Sequence, residues 1–154
     1  MTSVLYIGNK LSHQGNTPTA IEVLGPLLES EGITVQYASS KKNKASRLGE
    51  MLWQTIKLRN VVNYVLIDTY STSNFWYAFL VSQLCRVFKL KYIPILHGGG
   101  LPIRLKQNPI LSGMIFNNSF TNVAPSGYLF ERFQNAGYKV EYVPNPVELD
   151  IFPF

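Results

Sequence analysis

Tyr64-Val65-Leu66-Ile67-Asp68-Thr69-Tyr70 and Tyr92-Ile93-Pro94-Ile95-Leu96-His97-Gly98-Gly99-Gly100, separated by the helix-length segment Ser73 to Phe88, decide the fold. Tyr64 to Ile67 and Tyr92 to Leu96 are short runs of strand formers, each followed by polar or glycine residues. The segment between them is apolar almost all round, the pattern of a helix packed between layers or against a partner. Strand, helix and strand at this spacing form a crossover unit, and a crossover unit makes a parallel pair.

The same alternation runs outward in both directions. Val4 to Ile7 is the first strand and Ile33 to Tyr37 the second, while Asn122 to Ala124 and Val140 to Val143 supply the last two. The expected fold class is therefore α/β, a Rossmann-like, doubly wound, mostly parallel sheet. Thr17 and Pro18 read as the N-cap and first position of the first helix, which places Ile21, Leu24 and Leu28 on one face and ends at Gly32. Pro26 inside it predicts a kink. A second helix, about Ala45 to Arg59, repeats Leu48, Leu52 and Ile56, with Lys57 and Arg59 in its last turn. After Leu96 comes a long connection containing glycine and proline, then helices around Ile110 to Asn117 and Tyr128 to Asn135. Residues 1–143 read as one domain. Pro144 and Pro146 then push Val143 and Asn145 toward extended geometry, so 144–154 reads as the start of a linker.

The composition is that of a globular chain with a substantial core: 46% of its 154 residues are hydrophobic and 15% charged. Cys85 is the single cysteine and lies in an apolar run, so a buried, inert thiol is expected rather than a disulfide or a nucleophile. The first residues lack the basic and small-residue features of a signal peptide, and the apolar run Phe75 to Phe88 falls short of a membrane span. A cytoplasmic setting is expected, with the inner face of the membrane included. Net charge is +5, and twelve of the fourteen Lys and Arg residues precede Gln107. This basic half suits anionic partners, although the cluster Lys41, Lys42, Lys44 and Arg47 reads best as a solvated loop and helix face.

In an open α/β sheet the ligand crevice lies beyond the carboxyl ends of the strands. After the first strand, Gly8 to Pro18 forms a loop running into a helix N-terminus, suited to an anion but matching neither a dinucleotide fingerprint nor a P-loop. After the fourth, His97 followed by three glycines is the strongest chemical signal: the glycines allow close backbone approach, and His97 can act as donor, acceptor or acid/base. Asp68, Thr69 and Tyr70 form a second polar cluster, with Asp68 read as the cap of the helix opening near Ser73. Two histidines, His13 and His97, and one cysteine give no metal-ligand spacing. Hydrolase chemistry lacks its motif, and Ser126-Gly127 sits at an expected N-cap.

Three segments, in order and spacing, resemble family 4 glycosyltransferases: His97-Gly98-Gly99-Gly100-Leu101-Pro102, Ala124-Pro125-Ser126-Gly127-Tyr128-Leu129, and Val143-Pro144-Asn145-Pro146-Val147-Glu148-Leu149-Asp150-Ile151-Phe152. The likeness covers the N-terminal, acceptor-side half of such enzymes. It implies one half of a GT-B fold and retaining transfer of a sugar from a nucleotide-sugar to an acceptor, which would be a sugar, a lipid-linked sugar or a small molecule. His97 would lie beside the transferring sugar and orient it through a hydroxyl. Gly15 and Asn16 would face the donor diphosphate, Gly98, Gly99 and Ser126 would contribute further donor or acceptor contacts, and Asn145 would mark the interdomain crossing. No metal or other cofactor is implied.

Two departures accompany the likeness. Gly15 stands alone beside Asn16 where a paired glycine is usual, and the donor domain with its E-x7-E motif is missing, so the isolated chain is expected to be inactive. Its partners would include that missing C-terminal domain, and its exposed cleft predicts self-association. Peripheral contact with a membrane is a further expectation, nucleic acid is not. The competing reading is a stand-alone, non-catalytic Rossmann-like module that binds a nucleotide or a partner.

Overall fold

Short β-forming runs and amphipathic helices alternate through the computed structural model, which describes residues 2–8, 20–38 and 43–144. In chain order the elements are β1 (Ser3–Ile7), α1 (Ala20–Ser30), β2 (Thr34–Ala38), α2 (Lys44–Lys57), β3 (Tyr64–Thr69) and α3 (Asn74–Val87). They continue with β4 (Lys91–Leu96), α4 (Leu101–Gln107), α5 (Pro109–Phe116), β5 (Asn122–Ala124), α6 (Gly127–Asn135) and β6 (Val140–Tyr142). The strands form one sheet in the order β2-β1-β3-β4-β5-β6, and every neighbouring pair is parallel.

That order fixes where the helices go. The chain leaves β1 toward β2 on one side, then returns past β1 to β3, and all later crossovers continue in that second direction. A crossover of constant hand therefore puts α1 on one face and the following helices on the other. The packing agrees: Ile21, Leu24 and Leu28 of α1 join Val4, Tyr6, Val35, Leu66 and Ile95. The alternate strand residues, Leu5, Ile7, Val65, Ile67, Leu96 and Ala124, pack with Met51, Phe75, Val81, Leu101, Phe116 and Phe133 from α2 to α6. The sheet is thus doubly wound and all parallel. Its order extends the flavodoxin-like pattern by one strand and differs from the 3-2-1-4-5-6 dinucleotide-binding order.

The helix ends follow local chemistry. Asn43 caps α2, its side chain accepting from the amides of Ala45 and Ser46 at 2.9 and 3.2 Å. Gly32, at φ +87°, closes α1, and the amide of Ile33 donates to the carbonyl of Leu28. α1 continues through Pro26 to Ser30; the expected cap at Thr17 and Pro18 lies outside the described residues. The connection after Leu96 is not all loop, because α4 forms within it with Pro102 in its first turn, where a missing N–H costs nothing. Pro109 then opens α5. α3 buries Phe75, Ala78, Val81 and Cys85 and leaves Trp76, Leu80 and Val87 outward. Among the described residues no helix is long and apolar enough to cross a membrane.

Candidate functional site

The crossovers that leave β1 and β3 run in opposite directions and open a crevice above the carboxyl ends of these two strands, the usual ligand position in such sheets. Register brings three strands' polar residues together there. Tyr6 pairs with Leu66 and Asp68 with Ile95, so Tyr6, Asp68 and His97 lie on one face of adjacent strands, Asp68 two residues beyond the partner of Tyr6 and His97 two beyond the partner of Asp68. Tyr6 Oη donates to Asp68 Oδ1 at 3.0 Å, and His97 Nε2 lies 2.9 Å from the same oxygen. The amide of His97 donates to the carbonyl of Thr69 at 3.0 Å, extending the β3–β4 pairing by one residue. Tyr70 stacks on the imidazole, with centroids 4.7 Å apart and planes 19° from parallel.

The cluster is almost dry: Tyr6 is 0% exposed, Asp68 6% and His97 8%. Asp68 is therefore a buried structural partner of His97 and Tyr6, not the cap of α3; α3 begins behind Ser73 with no side-chain cap. Its second oxygen, Oδ2, is buried and has no hydrogen-bond partner among the described residues, an unusual state for a carboxyl oxygen. Gly8 makes this arrangement possible, since a Cβ there would approach Oδ2 to 2.5 Å. Burial, helped by the charge of Asp68 and its hydrogen bond, pushes the Tyr6 phenol well above its ordinary range. The Tyr70 phenol is pushed up to about 12 by burial and then by Asp68. Both phenols stay protonated around neutrality, Tyr6 as a permanent donor to Asp68.

A carboxylate oxygen already accepting from Tyr6 receives the Nε2–H of His97, which leaves the neutral ring's Nδ1 as an acceptor. Nδ1 has no partner among the described residues. The arrangement thus holds an imidazole in one orientation by a hydrogen bond below, a stacked ring beside it and a backbone pairing behind it. Such a group can receive a hydrogen bond from a ligand hydroxyl, or take its proton while Asp68 stabilises the resulting charge.

The glycines after His97 have separate roles. Gly98 sits at φ +78°, where a side chain is strained, and Gly99 faces open space. Gly100 precedes α4, which is tied back to the site by Arg104: Nε donates to the carbonyl of Ser71 and NH1 to Asn108 Oδ1, each at 2.9 Å. The same guanidinium lies over Phe75 and Trp76, 4.9 and 5.8 Å from their centroids.

Of the residues singled out in the sequence, His97, Gly98 and Gly99 stand together at the crevice. Ser126 follows β5 at the same end of the sheet, where it caps α6 by accepting from the amide of Leu129 at 3.2 Å; it makes no hydrogen bond to His97. Gly15, Asn16 and Asn145 lie outside the described residues. Tyr6 and Arg104 were not singled out. Tyr6 carried one usable signal, a phenol on the helix-facing side of a buried strand, which needs a partner. No group of three or more His, Cys, Asp or Glu suited to a metal occurs among the described residues. No protein-family model matches the chain, and no curated protein matches it.

Proposed function

We propose that this chain is the acceptor-side half of a retaining GT-B glycosyltransferase, moving a sugar from a nucleotide-sugar to an acceptor. The observation that carries this reading is His97: a buried imidazole, oriented by Asp68 and Tyr70, with its free edge at the switch-point crevice and a glycine turn beside it. The ordered motifs at His97, Ala124 and Val143 supply the reaction class. In this reading Nδ1 accepts from a hydroxyl of the transferring sugar and fixes the ring at the reacting centre. Gly98 and Gly99 leave room for the sugar, while Gly15 and Asn16 offer amides to the departing diphosphate. The donor's nucleotide is held by a second domain, and the protein requires no metal.

The test uses the natural gene product purified from its own cells. A mass well above the 17.4 kDa of this chain, with acceptor-dependent release of nucleoside diphosphate from one of a panel of nucleotide-sugars, is the expected outcome. His97→Ala should then lower kcat by about 10²- to 10³-fold, the effect of removing one preorganised polar contact to a transition state. A product of 17.4 kDa that binds nucleotides without turning over any nucleotide-sugar would replace this reading with the non-catalytic module.

A further inference from the structure

The opposite pole of the sheet, where the chain enters β3 to β6, gathers cations. Arg59 follows α2, Arg86 lies in the last turn of α3, Lys89 follows it, Lys91 begins β4 and Lys139 precedes β6; all five are exposed. They are contiguous: Arg59 lies over Phe88 at 5.3 Å, while Lys91 and Lys139 both lie over Phe120, at 5.4 and 5.5 Å. Arg86, Lys89 and Lys91 line one shallow cavity of about 320 Å³, and Lys89 and Lys91 line a second of about 490 Å³ toward Thr2 and Tyr64. Among the described residues none of the five reaches a carboxylate, and the connections into β3, β4, β5 and β6 contain no Asp or Glu. Glu31, before β2, stands at the far flank.

Helix ends account for Arg86 and for Arg59, whose Nη1 donates to the carbonyl of Ile56 at 2.6 Å, but not for Lys91 and Lys139. Lys89 is the telling residue. α1 and α6 end on Gly32 and Gly137, at φ +87° and +91°, each followed by an amide that donates back to the carbonyl five residues earlier. α3 ends in the same way, the amide of Leu90 donating to Cys85, yet Lys89 occupies the left-handed position at φ 56°. A cation is kept there against the backbone's preference for glycine. Apolar side chains stand among the charges: Val87 is 73% exposed and Val61 61%. Aliphatic groups offer nothing for a base to stack on, and Phe120 already has two ammonium groups over its ring and Tyr64 edge-on to it. Phe88 is likewise covered by Arg59, and basic stems around projecting valines and two phenylalanines instead match the headgroup layer of a bilayer.

We propose that this amino-terminal pole docks on an anionic phospholipid surface. The candidate site then faces away from the membrane, since the six residue steps from Lys91, at the start of β4, to His97, just past its end, span about 20 Å. The test is co-sedimentation of the natural gene product with vesicles of phosphatidylglycerol and phosphatidylcholine, and with phosphatidylcholine alone. Binding is expected to the anionic vesicles only, and it should fall steeply as salt rises from 0.15 to 1 M, where the Debye length shrinks from about 8 to about 3 Å. Lys89→Gln with Lys91→Gln should weaken it roughly 30-fold, about fivefold for each cation removed, with the melting temperature unchanged. Lys89→Gly should weaken it about fivefold while the melting temperature rises. Val87→Ser should also weaken it, and Lys106→Gln, away from this pole, should not. Absence of binding to the anionic vesicles, or binding that the double variant leaves intact, overturns the proposal. So does capture of poly-uridine RNA without vesicle binding.

Discussion

Asp68 is the residue on which the candidate site turns, because among the described residues one of its oxygens takes two hydrogen bonds while the other takes none. Asp68→Asn keeps the volume and removes the charge. The Tyr70 phenol, held at about 12 partly by that charge, should then titrate at lower pH, which absorbance at 295 nm reads directly; an unmoved curve would mean that burial alone sets it. Gly8 is the second sensitive point. Gly8→Ala drives a methyl group to within 2.5 Å of Oδ2, so it should cost about 1–3 kcal/mol in chemical denaturation and broaden the His97 ring signals in NMR. Neither role was visible in the sequence. Asp68 was read as a helix cap because the nearest polar function of an Asp before a helix is local, whereas its partners Tyr6 and His97 stand 62 and 29 residues away.

Elements were legible wherever local pattern and tertiary context agree. The six strands emerged from short β-forming runs, and α2, α3, α5 and α6 formed close to their expected bounds because their periodicity or apolarity points to the same face that packs. α4 did not, since three glycines and a proline read as loop until Leu101 and Leu105 find the core and Pro102 falls in the first turn. Arg104 holds this short helix to the β3–α3 connection through Ser71 and to the first turn of α3 through Phe75 and Trp76. Arg104→Met preserves much of the stem and deletes the charge-assisted bonds and the ring contact. It should cost about 1–2 kcal/mol and make the chain cleavable at Gly98 to Gly100 under limited proteolysis that spares the native protein. Strand adjacency was beyond local reading altogether: which strands flank β1 is set by crossover direction, and only that order puts Gly8, Asp68 and His97 in one crevice.

At the scale of the whole molecule, burial of neutral acids makes alkali its natural denaturant. Cys85, in α3 beneath the sheet, has its thiol pushed up to about 12 by burial, Tyr70 reaches the same value, and Tyr6, Tyr92 and Tyr138 are all raised, burial being the largest cause each time. In the unfolded chain these groups lose their protons near 9 for the thiol and near 10 for the phenols. Between those values and about 12 the folded state binds more protons than the unfolded one, so stability falls as pH rises, and it is fully present below about 9. Urea denaturation from pH 7 to 11 should therefore show a flat midpoint up to about 9 and a progressive decline above it. Cys85→Ala at this solvent-free position should lower the plateau through the lost packing yet make the decline shallower, because one buried acid has been removed. An alkaline limb unchanged by that substitution would assign the decline to the phenols alone.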